Sequence, residues 1–283
     1  MKIPMMQGTP EWLQFRKIKI GASDAPIIMG VSPWKTPYQL WEDKLSLKDQ
    51  NLPTDAMKRG IIMEADARRC FEKMSDLLVF PAVFQSDEHP WMIASLDGID
   101  FSQEHVVEIK CPGARDHQIA IDGQIPDKYW PQLQHQMYVV GVPSMYYFSF
   151  DGENGCILDA RRDDAYIEKL VEKEKAFISC VNNFIPPEYT SKDYYPSSGE
   201  GFEFFSKEWI TAKENLKEAQ MSEKIAREKL ILRCNGRNTS GRHVRVTRVY
   251  RKGSYDMEKI CENFDIESYR KSAVEYWKID EVK

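Results

Sequence analysis

The sequence predicts an α/β (α+β) protein, a core of short strands set between helices with a helical and basic extension behind it. Three observations carry this. β-like runs at 79–85, 91–95 and 105–110 lie between segments with helical spacing. "MYYFSFD" and "CILDARR" read as a hairpin around "GENG". The turn-rich "YYPSSGEG", residues 194–201, separates all of this from a long charged helix, which divides the chain into a core, 1–195, and an extension, 196–283.

Taken in order, Trp12 to Lys19 is a short mixed segment, and Ser23 is placed to cap a helix that runs to Met29 and ends at Gly30. Thr36 caps the next helix, with Pro37 at its first position. In "MKRGIIMEADARRCFEKM", Met57, Gly60, Glu64, Ala67, Phe71 and Met74 recur at spacings of three and four, one stripe of a longer helix. After the three strand-like runs come a helix at about 128–140 stopped by Gly141, the hairpin, and a helix over 163–184. Beyond the break, Phe205, Trp209, Ala212, Leu216, Ala219, Ala226 and Leu230, with Glu223 among them, alternate spacings of four and three. That heptad seam fits either a helix packed on its own body or an arm for association. From Arg233 to Lys252 there are seven Lys or Arg and no acid, with "HVRVTRVY" reading as a strand and "ESYRKSAVEYWKI" as a terminal helix. Such a run is a solvated face or a phosphate-contacting one.

Composition narrows the chemistry. The six cysteines form no CxxC pair and the five histidines no HxxxH or HExxH spacing, which argues against a zinc site or disulfide scaffold and fits a reducing cytoplasm. The start of the chain reads as no signal peptide and no run is long enough for a membrane span. A formal charge of −5 leaves nucleic-acid binding to a local basic groove. A metal here would be held by carboxylates, as suits magnesium or manganese.

The informative strand is "VVEIKCP". With a period of two, Val107 and Ile109 face one way while Val106, Glu108 and Lys110 face the other. A lone ExK also fits a salt-bridged outer face. Glu64 is the one carboxylate in its helix's apolar stripe, and a buried carboxylate is costly unless paired or bound to metal. Asp97 ends "WMIASLDG", which alone is turn chemistry. Gln132 shares a helix face with Tyr129 and Gln136, a stripe that usually faces solvent. Together they fit metal-assisted phosphodiester hydrolysis. Asp97, Glu108, the backbone carbonyl of Ile109 and Glu64 supply oxygen ligands. Lys110 holds the attacking water or neutralises charge on the phosphate.

The order Glu64, Asp97, "EIK" at 108–110, then Gln132 resembles the PD-(D/E)XK nuclease superfamily, although "SLDG" lacks the proline of the name. Within it, "WLQFRKIKIGASDAPIIMGVSPWKTPYQLWEDK", "GIIMEADARRCF", "SLDGI", "VVEIKCP" and "YWPQLQHQMYVVG" resemble the lambda-exonuclease and YqaJ-like viral recombinase family over roughly residues 10 to 185. The resemblance implies a central mixed β-sheet flanked by helices, and a 5′→3′ exonuclease on double-stranded DNA ends. It implies Mg2+, two ions with Mn2+ able to substitute. It further implies 3′ single-stranded tails for a single-strand annealing protein, a homo-oligomer of trimeric form, and a phage or prophage gene expressed in a bacterial cytoplasm. Arg16 and Ser23 fall where the family binds the terminal 5′-phosphate; Ser23 also fits a plain N-cap and Arg16 a surface charge. In the extension, Arg242, Arg245, Arg248 and Arg251 are expected to contact DNA. Two other readings stay open: a structure-specific endonuclease on the same core, and a catalytically inactive DNA-binding accessory.

Overall fold

A computed structural model describes residues 1–46, 55–197, 199–250, 253 and 260. The chain divides into two compact units, Met1–Tyr194 and Tyr195–Lys283. The first begins with β1 (Lys2–Ile3), α1 (Pro10–Lys17), β2 (Ile20–Gly21), a 3-10 turn (Ala22–Asp24), α2 (Ala25–Ile28), α3 (Pro37–Leu45) and α4 (Asp55–Ser75). It continues through β3 (Phe80–Gln85), β4 (Met92–Ile99), β5 (Val106–Lys110), α5 (Ala114–Ile121), α6 (Trp130–Val140), β6 (Ser144–Phe150), β7 (Gly155–Arg161) and α7 (Asp164–Asn182).

The sheet is mixed, in the order β1-β3-β4-β5-β6-β7, with β2 parallel to β4. β5 lies inside it, antiparallel to β4 and parallel to β6. The expected alternation along β5 holds. Val107 and Ile109 pack with Ala67 and Phe71 of α4 and with Phe148. Val106 packs on the opposite side with Leu133 and Met137 of α6. β6 and β7 form the expected hairpin in continuous register from Ser144–Arg161 to Phe150–Gly155. Gly141, at φ 86°, ends α6 where L residues are strained. Thr36 caps α3 through a reciprocal pair: its hydroxyl accepts from the Gln39 amide, and its own amide donates to the Gln39 side chain, each at 3.2 Å.

Several expectations need correction. Ser23 is not an N-cap; it lies inside the 3-10 turn, and Asp24 accepts from the Gly21 amide at 3.0 Å. Asp97 is inside β4, not at its turn, because β4 runs on to Ile99. Gly98 serves clearance: a Cβ there would stand 2.6 Å from a Val79 methyl and 2.8 Å from a Val107 methyl. The α4 stripe is only partly buried, with Ala67 and Phe71 enclosed but Met74 exposed. The side chains of Met57 and Gly60 lie outside the described residues. α5 had no expected counterpart.

The second unit contains α8 (Glu200–Arg233) and a two-stranded pair, β8 (Thr239–Ser240) with β9 (Arg245–Val246). The strand expected over "HVRVTRVY" shrinks to β9, and the terminal helix lies outside the described residues. Arg242, Arg245 and Arg248 are exposed, and Arg251 lies outside the described residues. Among the described residues, no helix is long and apolar enough to cross a membrane.

Candidate nuclease site

The ladder between β4 and β5 pairs Ile99 with Val106 and Gly98 with Val107. Beyond that point the Ile109 amide donates to the Asp97 carboxylate at 2.8 Å. A backbone donor has therefore been turned onto a side-chain acid where the two strands part. This brings Asp97, Glu108 and Lys110 into one place.

Glu108 is 2% exposed. One of its carboxylate oxygens accepts from Lys110 Nζ and from Gln132 Nε2, both at 2.5 Å. The other accepts from Gln136 Nε2 at 2.5 Å. A buried carboxylate is tolerable with this many donors. The glutamines come from α6, whose polar residues are buried and not solvent-facing as their stripe suggested. Gln136 also donates to the Ser95 carbonyl at 3.3 Å. Gln134 is used elsewhere, donating to the Arg161 carbonyl and accepting from the Asp163 amide. His135 is enclosed between the Glu174 carboxylate at 2.8 Å and the Ile93 carbonyl at 3.0 Å. That pins α6 to both α7 and β4. Gln136 was visible in the sequence only as Gln132's helical neighbour; its contact with Glu108 is long-range.

Burial, then the Glu108 charge, pushes the Asp97 carboxyl up from its ordinary 3.8 to about 8; Lys110 and the Ile109 amide pull back, and the Glu64 charge adds to the rise. For Lys110, burial works against the ammonium, but Glu108 and Asp97 outweigh it and raise its pKa. Lys110 thus stays a cation. Glu64 is 49% exposed on its side chain, contrary to the buried position expected, and pairs with Arg68 at 2.9 Å. Its charge is still felt at Asp97. The oxygen donors suit a hard divalent cation, since one ammonium faces three carboxylates. Among the described residues, no three of His, Cys, Asp and Glu already converge tightly enough to hold a metal, with Glu64 drawn to Arg68.

Arg16 and Ser23 are also brought together: the guanidinium donates to the Ser23 hydroxyl and pairs with Asp24 at 3.4 Å. It lies over the Trp12 ring at 5.2 Å. Asp24, which belongs to the N-terminal signature but was given no role from it, is 4% exposed and forms an ion pair with Lys44 at 2.6 Å. Burial raises its carboxyl, but Lys44 and Arg16 prevail and hold it near 2.

Residues 11–143 match the YqaJ-like viral recombinase domain. The chain is 30% identical over 173 residues to the protein YqaJ of Bacillus subtilis strain 168, covering 59% of this chain and 54% of that one. It therefore spans about half the length of this curated relative. The crystal structure of an alkaline exonuclease from Laribacter hongkongensis is similar at a TM-score of 0.55 and 25% identity, over 62% of this chain and 94% of that one. The same exonuclease in complex with dAMP matches equally. The core has the mixed-sheet, PD-(D/E)XK-type fold of that exonuclease.

Proposed function

From the YqaJ-like viral recombinase domain carried by residues 11–143, we propose that the chain is a nuclease of the alkaline-exonuclease type, digesting double-stranded DNA ends 5′→3′ with Mg2+. The observation that supports this best is the buried Glu108, enclosed by Lys110, Gln132 and Gln136, with the partly buried Asp97 beside it. A structural ion pair needs one acid per cation. This cluster carries a surplus of acid in a place where strands separate.

Asp97, Glu108, the Ile109 carbonyl and Glu64 would hold Mg2+, in two ions, with Mn2+ able to substitute. The metal would supply water activation and charge neutralisation at the phosphate. Glu64 would have to leave Arg68 to take part. Gln132 and Gln136 fix the Glu108 carboxylate by donating to it. Lys110, being an ammonium, does not accept the water's proton; it donates toward the oxygens on which charge accumulates. Water oxygen bonds to phosphorus, the bond from phosphorus to the 3′ oxygen breaks, and that oxygen leaves with a proton. The shortened strand then carries a new 5′-phosphate. Arg16 and Ser23 bind that phosphate between cycles, with Trp12 and Asp24 orienting the guanidinium.

We further read the product as a 3′ single-stranded tail passed to a single-strand annealing protein, by a homo-oligomer of trimeric form. Arg242, Arg245 and Arg248, with Arg251, add phosphate contacts. Neutralising them should flatten the salt dependence of binding, and an unchanged slope rules them out.

The test is digestion of linear duplex labelled at either 5′ end, with and without a 5′-phosphate, beside a Lys110→Ala control. Mononucleotide release that needs the phosphate and is lost in the variant supports the reading. Cutting of closed circles would make the enzyme an endonuclease. No cleavage with Mg2+ or Mn2+ would leave a DNA-binding accessory.

A further inference from the structure

Trp34 lies between α2 and α3 with its indole 66% exposed. Its place is nonetheless fixed. The buried Ser32 hydroxyl accepts from the Trp34 amide at 3.3 Å and the Lys35 amide at 3.4 Å. Two residues on, Thr36 is anchored by its α3 cap and by Asp193 at 2.5 Å. A large apolar ring held outward on a braced turn forgoes the burial that usually accompanies an indole.

What lies beside it is specific. Lys128 Nζ sits 4.8 Å from the centre of the Trp34 ring and 5.2 Å from that of Tyr129. Lys110 Nζ is 5.4 Å from the same Tyr129 ring. Cation and ring therefore alternate from the Lys110 ammonium outward: Lys110, Tyr129, Lys128, Trp34. Lys128 is itself paired with Asp116 at 2.5 Å, which fixes its ammonium as a brace against the indole. The feature left for a ligand is the aromatic surface, a few residues' reach from the proposed hydrolytic lysine.

We propose that Trp34 is a base-stacking subsite that takes an unpaired nucleobase of the DNA close to the cleavage point, with Lys128 and Asp116 as positioning residues behind it. This rests on the nuclease reading above. Every base offers a π face, so the subsite is sequence-tolerant and holds the opened end while the phosphate is attacked. The ring row places it on the same side of the core as Lys110, within reach of an unpaired nucleotide at the proposed cleavage point.

The experiment uses the full chain carrying Lys110→Ala, so that DNA is bound and not cut. Its ligand is a 5′-phosphorylated duplex with 2-aminopurine placed singly along the unpaired and terminal positions of either strand. Trp34→Ala is expected to weaken binding roughly tenfold and to remove the fluorescence change at a narrow set of positions, whereas Trp34→Phe keeps most of both. In the Lys110-intact enzyme, Trp34→Ala should raise KM by a similar factor. Unchanged affinity and fluorescence in Trp34→Ala overturn the subsite and leave the nuclease reading standing. A change in oligomer mass without loss of the 2-aminopurine signal overturns it in favour of a contact between copies of the chain. A parent protein that binds no DNA end overturns both readings.

Discussion

Asp24, buried, and Asp97, partly buried, are both aspartates of the first unit, and their carboxyls are driven in opposite directions. Asp24 is held near 2 and Asp97 pushed to about 8. Burial opposes the charge in both. The difference is the company. Asp24 is paired with two cations, Lys44 and Arg16, even though the Glu174 carboxylate also feels Lys44. Asp97 faces Glu108 and the field of Glu64, and Lys110 is shared. One aspartate is paired with cations of the fold; under the proposed function the other would take a divalent cation as well. The contrast separates a structural acid from one kept available for chemistry.

The comparison breaks first at Asp97→Asn. Under the proposed function this loses roughly a thousandfold or more in kcat, about 4 kcal/mol of transition-state stabilisation. The same change relieves like-charge repulsion, so the metal-free variant should melt a few degrees higher, on the order of 1 kcal/mol. Activity assays and calorimetry on one sample check both. A variant that loses stability along with activity would place Asp97 in the same class as Asp24.

Asp24→Ala should do the reverse. It leaves Lys44 enclosed, donating to the Arg16 and Lys19 carbonyls, with the Glu174 charge its remaining acid neighbour among the described residues. Removing one side of a buried pair costs about 3–5 kcal/mol, read as a lower urea midpoint with unchanged m. Residual activity per folded molecule should survive better than in Asp97→Asn, apart from weaker preference for a 5′-phosphate through Arg16.

The pH dependence sharpens the contrast. The Asp24 carboxyl is depressed in the fold, so its contribution is fully present above its ordinary 3.8 and is lost as pH falls through about 2. The size is about 2 kcal/mol. Acid titration of unfolding free energy should show this slope in the parent and not in Asp24→Asn. A parallel slope in both would mean that Lys44 and Arg16 do not stabilise the ionised acid.

How much of this could be read from the sequence follows the range of each signal. The period of two along "VVEIK" put Glu108 and Lys110 on one face, and the structure has them there, because strand alternation is local. The Thr36 cap and the Gly141 stop are local too. Asp97 looked like a turn because Asp-Gly usually is one; Gly98 is there for its clearance from Val79 and Val107, residues distant in sequence. The stripe of Tyr129, Gln132 and Gln136 on α6 looked solvent-facing because polar side chains at helical spacing usually are. The partners that the polar residues of α6 find, Glu108, Ser95, Arg161 and Glu174, come from elsewhere in the chain. Asp24 stood in the signature segment "GASDAP" without a role, for the same reason: Lys44, its partner, lies twenty residues away.

The smallest effect is the most direct test of what Asp97 lacks. If the Asp97–Glu108 cluster is short of a cation, a divalent ion that binds there must stabilise the native state. At ten times its Kd, Mg2+ should add about 1.4 kcal/mol, roughly 2–4 °C in melting temperature for a chain of this size. Chelation should remove the gain. In Asp97→Asn the melting temperature starts higher and responds less to Mg2+, since the repulsion is already relieved and a ligand is gone. In Asp24→Ala the baseline is lower but the Mg2+ increment is intact, because that cluster is complete without metal. An equal Mg2+ increment in all three proteins would mean that the ion acts away from Asp97, and the contrast between the two aspartates would then describe packing alone.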